Sequence, residues 1–101
     1  MEVEITHKVD ASEKGKDGKY DYYYEYDLYT FKDKNITIIA RSYTTESDEI
    51  HFLRAVQNEK HRPISKADLK LPIFNEIIPY LKNINKIKIN WLSNSGYISV
   101  E

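Results

Sequence analysis

From Tyr20 to Phe31 the chain reads Tyr-Asp-Tyr-Tyr-Tyr-Glu-Tyr-Asp-Leu-Tyr-Thr-Phe, and only an extended backbone sorts these side chains by polarity. Alternation places Tyr20, Tyr22, Tyr24, Tyr26 and Leu28 on one face, with Asp21, Tyr23, Glu25, Asp27, Tyr29 and Phe31 on the other. A helix would scatter both sets. The pattern predicts a strand whose first face is dry and whose second is a mixed acidic and aromatic wet face. A one-residue slip in its pairing would exchange the two.

The same period recurs along the chain. Val3, Ile5 and Val9 alternate with polar residues in a half-exposed first strand, and residues 36 to 43 form a second long strand rich in β-branched side chains. In the segment 50 to 56, Ile50, Phe52 and Val56 share a face with Arg54, opposite His51, Leu53 and Ala55. Apolar groups on both faces imply a central strand covered on both sides, or a bulge that changes the phase. Residues 61 to 64 read as a short returning strand that Pro63 confines to an edge. Residues 86 to 92 alternate strictly, with Ile87, Ile89 and Trp91 on one face, and a turn at 93 to 96 leads into a last strand over 97 to 100.

One helix interrupts this pattern. Ser65 and Asp68 have the spacing of a capping box, Pro72 suits a first turn, and Ile73, Phe74, Ile77, Ile78 and Leu81 form one stripe. Pro79 and Asn75 fall on the opposite side, where water satisfies the freed carbonyl, so a helix over about 66–83 survives its proline. The expected fold is α+β: a single domain, 1–101, with an antiparallel meander of five to seven strands and that helix across one face. The expected core is Tyr22, Tyr24, Tyr26, Leu28, Ile38, Phe52, Ile73, Phe74, Ile77, Ile78, Leu81, Ile87, Ile89 and Trp91. Residues 10–19, polar and holding two glycines, read as a flexible loop.

Composition narrows the function classes. The 101 residues carry a formal net charge of -1, so no long-range field gathers nucleic acid or an anionic membrane. Cysteine is absent, which removes disulfides, thiolate chemistry and the common structural zinc sites. The first residues lack the basic and apolar character of a secretory signal, and no stretch approaches the roughly 20 apolar residues of a membrane span. These features point to a cytoplasmic protein. The richness in Ile, Lys, Asn and Tyr suits an AT-rich, bacterial coding sequence.

The catalytic inventory is sparse. No glycine-rich phosphate loop, nucleophile elbow or histidine pair at metal spacing occurs, and the three histidines lie on different segments. Asp10, Glu13 and Asp17 miss the ligand spacing of a calcium loop. Tyrosines that alternate with acids would repel phosphates from rings on which bases could stack. No metal, cofactor, nucleic acid or membrane partner is expected.

The surplus of tyrosine remains, because each buried hydroxyl needs a partner and a domain this small satisfies only some. Tyr23, Tyr29, Tyr43, Tyr80 and Tyr97 are expected to be partly exposed. The candidate binding set is Tyr23, Glu25, Asp27, Tyr29, Arg41 and Tyr43, with the acids facing Arg41 across the sheet. The expected function is a small protein-interaction module, of the inhibitor, immunity or adaptor type or self-associating, without catalysis. The competing reading is a small-molecule binder or small hydrolase with a polar pocket over the uncovered sheet face or beside Trp91.

Overall fold

Every alternating segment joins one sheet. A computed structural model of the chain describes residues 1–100. It contains β1 (Glu2–Ala11), β2 (Tyr23–Lys32), β3 (Thr37–Tyr43), β4 (Glu49–Gln57), β5 (Lys60–Arg62), α1 (Phe74–Asn83), β6 (Lys88–Ser93) and β7 (Gly96–Ser99), with short 3₁₀ turns at Thr44–Glu46 and Lys66–Lys70. The strand order is β1-β2-β3-β4-β6-β7. The first four strands form the antiparallel meander. β6 then returns beside β4 in parallel, as the crossover through α1 permits. β5 pairs farther along the same edge of β4, so β5 and β6 share that edge.

β4 is central and bulged. Ile39 pairs with Arg54 while Ala40 pairs with Phe52, which leaves Leu53 as the extra residue. The phase change turns Ile50, Phe52 and Ala55 to one side, where all three are fully buried.

The expected helix over 66–83 divides in two. Ser65 accepts from the Asp68 backbone N–H while the Asp68 carboxylate accepts from Ser65, completing the capping box, but the turn that follows is 3₁₀. Leu71 stands before Pro72 and is extended, with φ -64° and ψ 147°, because the proline ring disfavours a helical predecessor. α1 then carries Pro79 on its exposed side and buries Phe74, Ile77 and Leu81. Just past its end, Asn85 has a φ of 65°. The Asn85 and Lys86 amides bond back to the Lys82 and Leu81 carbonyls, a left-handed cap that turns Lys86 inward.

The core lies between α1 and the face bearing Tyr29, Phe31, Ile38, Ala40, Ile50, Phe52, Ala55 and Ile89, with Ile73 joining from just before the helix. This reverses the expected parity of the tyrosine strand. Tyr29 and Phe31 are buried, whereas Tyr22 and Tyr24 stand about half exposed at 46% and 52%. Phe31 packs edge-on against Tyr80 of α1 at 5.9 Å, and that helix contact decides the face. Tyr26 and Leu28 are half-buried on the far side. Ile87 also leaves the core, at 66% exposure, because β6 starts only at Lys88 and Lys86 takes the inward position. Ile78 and Trp91 pack at the margin of the core. Residues 12 to 22 close the β1–β2 connection, held by a bridge between Lys14 and Tyr20 and by a turn through Gly15 and Gly18.

Candidate functional site

With α1 on one face, the other face of the sheet is bare. Strand register lays a row across it: Thr6, Leu28, Arg41, His51, Asn90 and Ser99 sit side by side on six strands. Tyr26 and Tyr43 are directly paired one step along the same face.

Arg41 is the centre of this surface. Its guanidinium carbon lies 4.8 Å from the Tyr43 ring centroid and 5.8 Å from that of Tyr26. Its Nη2 donates to the Tyr97 hydroxyl at 2.9 Å. The Tyr97 ring in turn lies 4.2 Å from the buried His51 ring. A planar cation suits this packing, because it stacks on aromatic faces while keeping donors in its own plane. Tyr24 reaches Tyr43 at 6.0 Å and stacks on Tyr22 at 6.1 Å, extending the aromatic platform toward the open end of β2.

His51 links the platform to a polar flank. Its Nε2 is 3.4 Å from Glu49 Oε1, which also accepts from Asn90 Nδ2 at 3.1 Å. Burial pushes the imidazole pKa below its ordinary value, with the Glu49 carboxylate opposing and Arg41 reinforcing the shift, so the ring is neutral at pH 7. Glu46, Glu49 and His51 bring one ligand atom each within 4.8 Å of one another, an oxygen-oxygen-nitrogen set that could hold a divalent cation. Arg41 Nε and His51 Nδ1 are buried on opposed residues of β3 and β4, and neither finds a hydrogen-bond partner among the described residues.

The six residues expected from sequence do not converge, because the sheet runs between them. Arg41 and Tyr43 are on the bare face. Tyr23, Glu25, Asp27 and Tyr29 point to the helix side, where Tyr29 is core, so the expected pairing of Arg41 with those acids is corrected. Beyond the end of α1, Tyr23 donates to Glu25 at 2.5 Å, and His7 Nδ1 meets Asp27 Oδ1 at 2.9 Å. The bond to Glu25 holds the Tyr23 phenol above its usual pKa.

The same side carries a buried pair that resembles a nucleophile and base. Lys86 Nζ donates to Ser42 Oγ at 2.9 Å and also to the Ser47 carbonyl. Ser42, however, donates its own proton to the Glu49 carbonyl at 2.6 Å and is only 2% exposed, so no substrate reaches it. The pair caps the end of the core.

His51, Glu49 and Asn90 were not singled out by sequence, and Tyr97 was expected only as a partly exposed ring, which it is. Glu49 and His51 share a face at two-residue spacing, a local signal. Asn90 and Tyr97 join them only through the parallel return of β6. No family model, curated protein or solved structure matches the chain.

Proposed function

We propose that this protein is a small, cytoplasmic protein-interaction module, of bacterial type by its composition, that engages its partner with the bare sheet face and performs no catalysis. The observation that carries the reading is Arg41, held among Tyr26, Tyr43 and Tyr97 in the middle of that face. Tyrosine and arginine fixed by packing lose little side-chain entropy on association, which is why they dominate binding hot spots. By register the face also bears Lys8, Lys32, Arg54 and Lys88, against Glu2, Glu4, Asp10 and Glu49, so the surrounding charges balance. The cation at the centre, Arg41, then favours a partner that presents a carboxylate to accept from its guanidinium.

The clefts on this face are shallow, one of about 270 Å³ beside Glu49, Lys88, Asn90 and Ser99 and one of about 400 Å³ reached by Arg54 and Leu92. A groove of about 550 Å³ lies on the other side, lined by Trp91 and Ile98. Arg41→Glu and Tyr43→Ala baits, run beside the native chain in affinity capture from the source cell, test the reading. A protein retained by the native chain and lost from both folded variants supports it, and identical captures by all three sink it.

A further inference from the structure

The geometry points to a second use of the sheet, independent of its bare face: β1 pairs with β1 of a second copy, making one continuous sheet across two chains. β1 is the outermost strand, ten residues long, and it meets β2 without a register break from Glu2 opposite Lys32 to Ala11 opposite Tyr23. It holds no proline and no bulge, the devices that normally blunt a long free edge. The opposite edge is the four-residue β7, so the two edges are not equivalent. Ile5 and Val9 are large apolar side chains along β1, at 50% and 54% exposure.

Charge identifies the occupant as another copy. An antiparallel pairing about a twofold axis through the sheet sets residues of the same face opposite one another, so every permitted register is centred on one residue. Four registers pair seven or more residues of β1: those centred on Ile5, Thr6, His7 and Lys8. Centring on Thr6 sets Glu4 against Lys8 but Glu2 against Asp10, centring on His7 sets Glu4 against Asp10, and centring on Lys8 sets that lysine against its own copy. Only the register centred on Ile5 opposes unlike charges, Glu2 to Lys8 twice over, with no like pair. It also places Ile5 on its own counterpart and Val9 opposite Met1, covering both exposed apolar side chains of the strand. The charges that would repel a generic strand thus attract this one in one register.

The experiment is sedimentation velocity on the full chain across a concentration series. The native chain should shift toward twice the mass of one chain as concentration rises. Lys8→Glu and Glu2→Lys each oppose two like pairs and should weaken association by roughly tenfold, whereas Glu4→Lys, which faces Thr6, should leave it unchanged. An equimolar mixture of Lys8→Glu and Glu2→Lys restores both unlike pairs and should recover the dimer. Register is read separately: the chain has no cysteine, so Ile5→Cys should form a disulfide dimer under mild oxidation while Thr6→Cys should not. A native chain that stays monomeric up to about 1 mM, a concentration scale weak edge pairing should reach, overturns the inference, as does a mixture that fails to dimerise better than its components.

Discussion

Arg41 on β3 and Tyr97 on β7 are joined by a 2.9 Å hydrogen bond, although β4 and β6 lie between their strands. The long guanidinium arm spans the gap over His51, so one contact ties both halves of the sheet on the bare side. Tyr97→Phe removes the acceptor of an exposed bond and should cost at most about 1 kcal/mol in chemical denaturation. It frees the Arg41 donor, so partner capture should change far more than stability. Equal losses of both would make the contact structural.

The two odd-numbered tyrosines of β2 should separate sharply. Tyr29 is 5% exposed and stacks on Phe31 at 6.1 Å, while Tyr23 is 47% exposed. Tyr29→Ser should cost about 3 kcal/mol or more, as expected for truncating a buried ring, and Tyr23→Ser should stay within about 0.5 kcal/mol, the range of surface substitutions. Thermal melts of the two single variants decide it. Comparable melting temperatures would place both rings at the surface, as the sequence alone suggests.

Acid should weaken the fold in two stages. His51 has a depressed pKa in the folded chain, so the unfolded chain takes up its proton first and stability falls as pH drops below about 6.5. Asp68 is pulled down to about 2 by the Arg62 guanidinium at 2.7 Å and by bonds from Ser65, so its contribution is present above pH 3.8 and disappears as pH falls toward 2. Arg62 keeps about a third of its side chain in water, which limits that second stage to about 1–2 kcal/mol. Denaturant midpoints against pH should lose the upper stage in His51→Gln and the lower in Asp68→Asn. Unaltered profiles would mean neither group is perturbed.

Lys86 should show the same sign in a higher pH window. Burial lowers its pKa against the pull of Asp27 and Asp48, so the unfolded chain binds this proton more tightly and stability rises as pH climbs toward 10.5. Lys86→Met removes that rise. Because a buried cation carries a desolvation penalty, the variant should lie within about 1 kcal/mol of the native chain at pH 7. Ser42→Ala, by contrast, withdraws a bond from a charge that stays buried and should cost about 1–3 kcal/mol. Urea titrations at pH 7 and pH 10 measure both.

The β4–β5 turn offers a stabilising change. Asn58 and Glu59 have φ of 51° and 64°, the pair required by a type I′ hairpin, in which glycine is favoured at the second position. Glu59→Gly should raise stability by about 1 kcal/mol by relieving a left-handed residue. A lowered melting temperature would show that the Glu59 side chain outweighs the backbone.

Much of the architecture was legible because its signals are local. The stripe of Ile73, Phe74, Ile77 and Leu81, the Ser65–Asp68 box and the alternation around Ile89 need no knowledge of the rest of the chain. The double-faced pattern of residues 50 to 56 announced a central strand covered on both sides or a bulge; β4 is central and bulged, but only one of its sides is covered. The wet and dry sides of β2 were not legible, since either parity offers aromatic rings. The choice falls to Phe31 meeting Tyr80, forty-nine positions away. Lys86 reads as solvent-facing by alternation, yet the left-handed cap at Asn85 rotates it inward and expels Ile87. The candidate site suffered most, because Arg41 and Tyr43 were grouped with acids that a change of parity sends through the sheet.

The far half of the β1–β2 hairpin lies past the end of α1, where Tyr23 and Tyr24 are exposed while Tyr29 and Phe31 on the same strand are sealed. One strand therefore crosses from a region that opens by fraying to one that opens only with the whole molecule. Amide hydrogen exchange along β2 should slow by orders of magnitude between residues 23 and 31, making this strand a ruler of local opening against global unfolding.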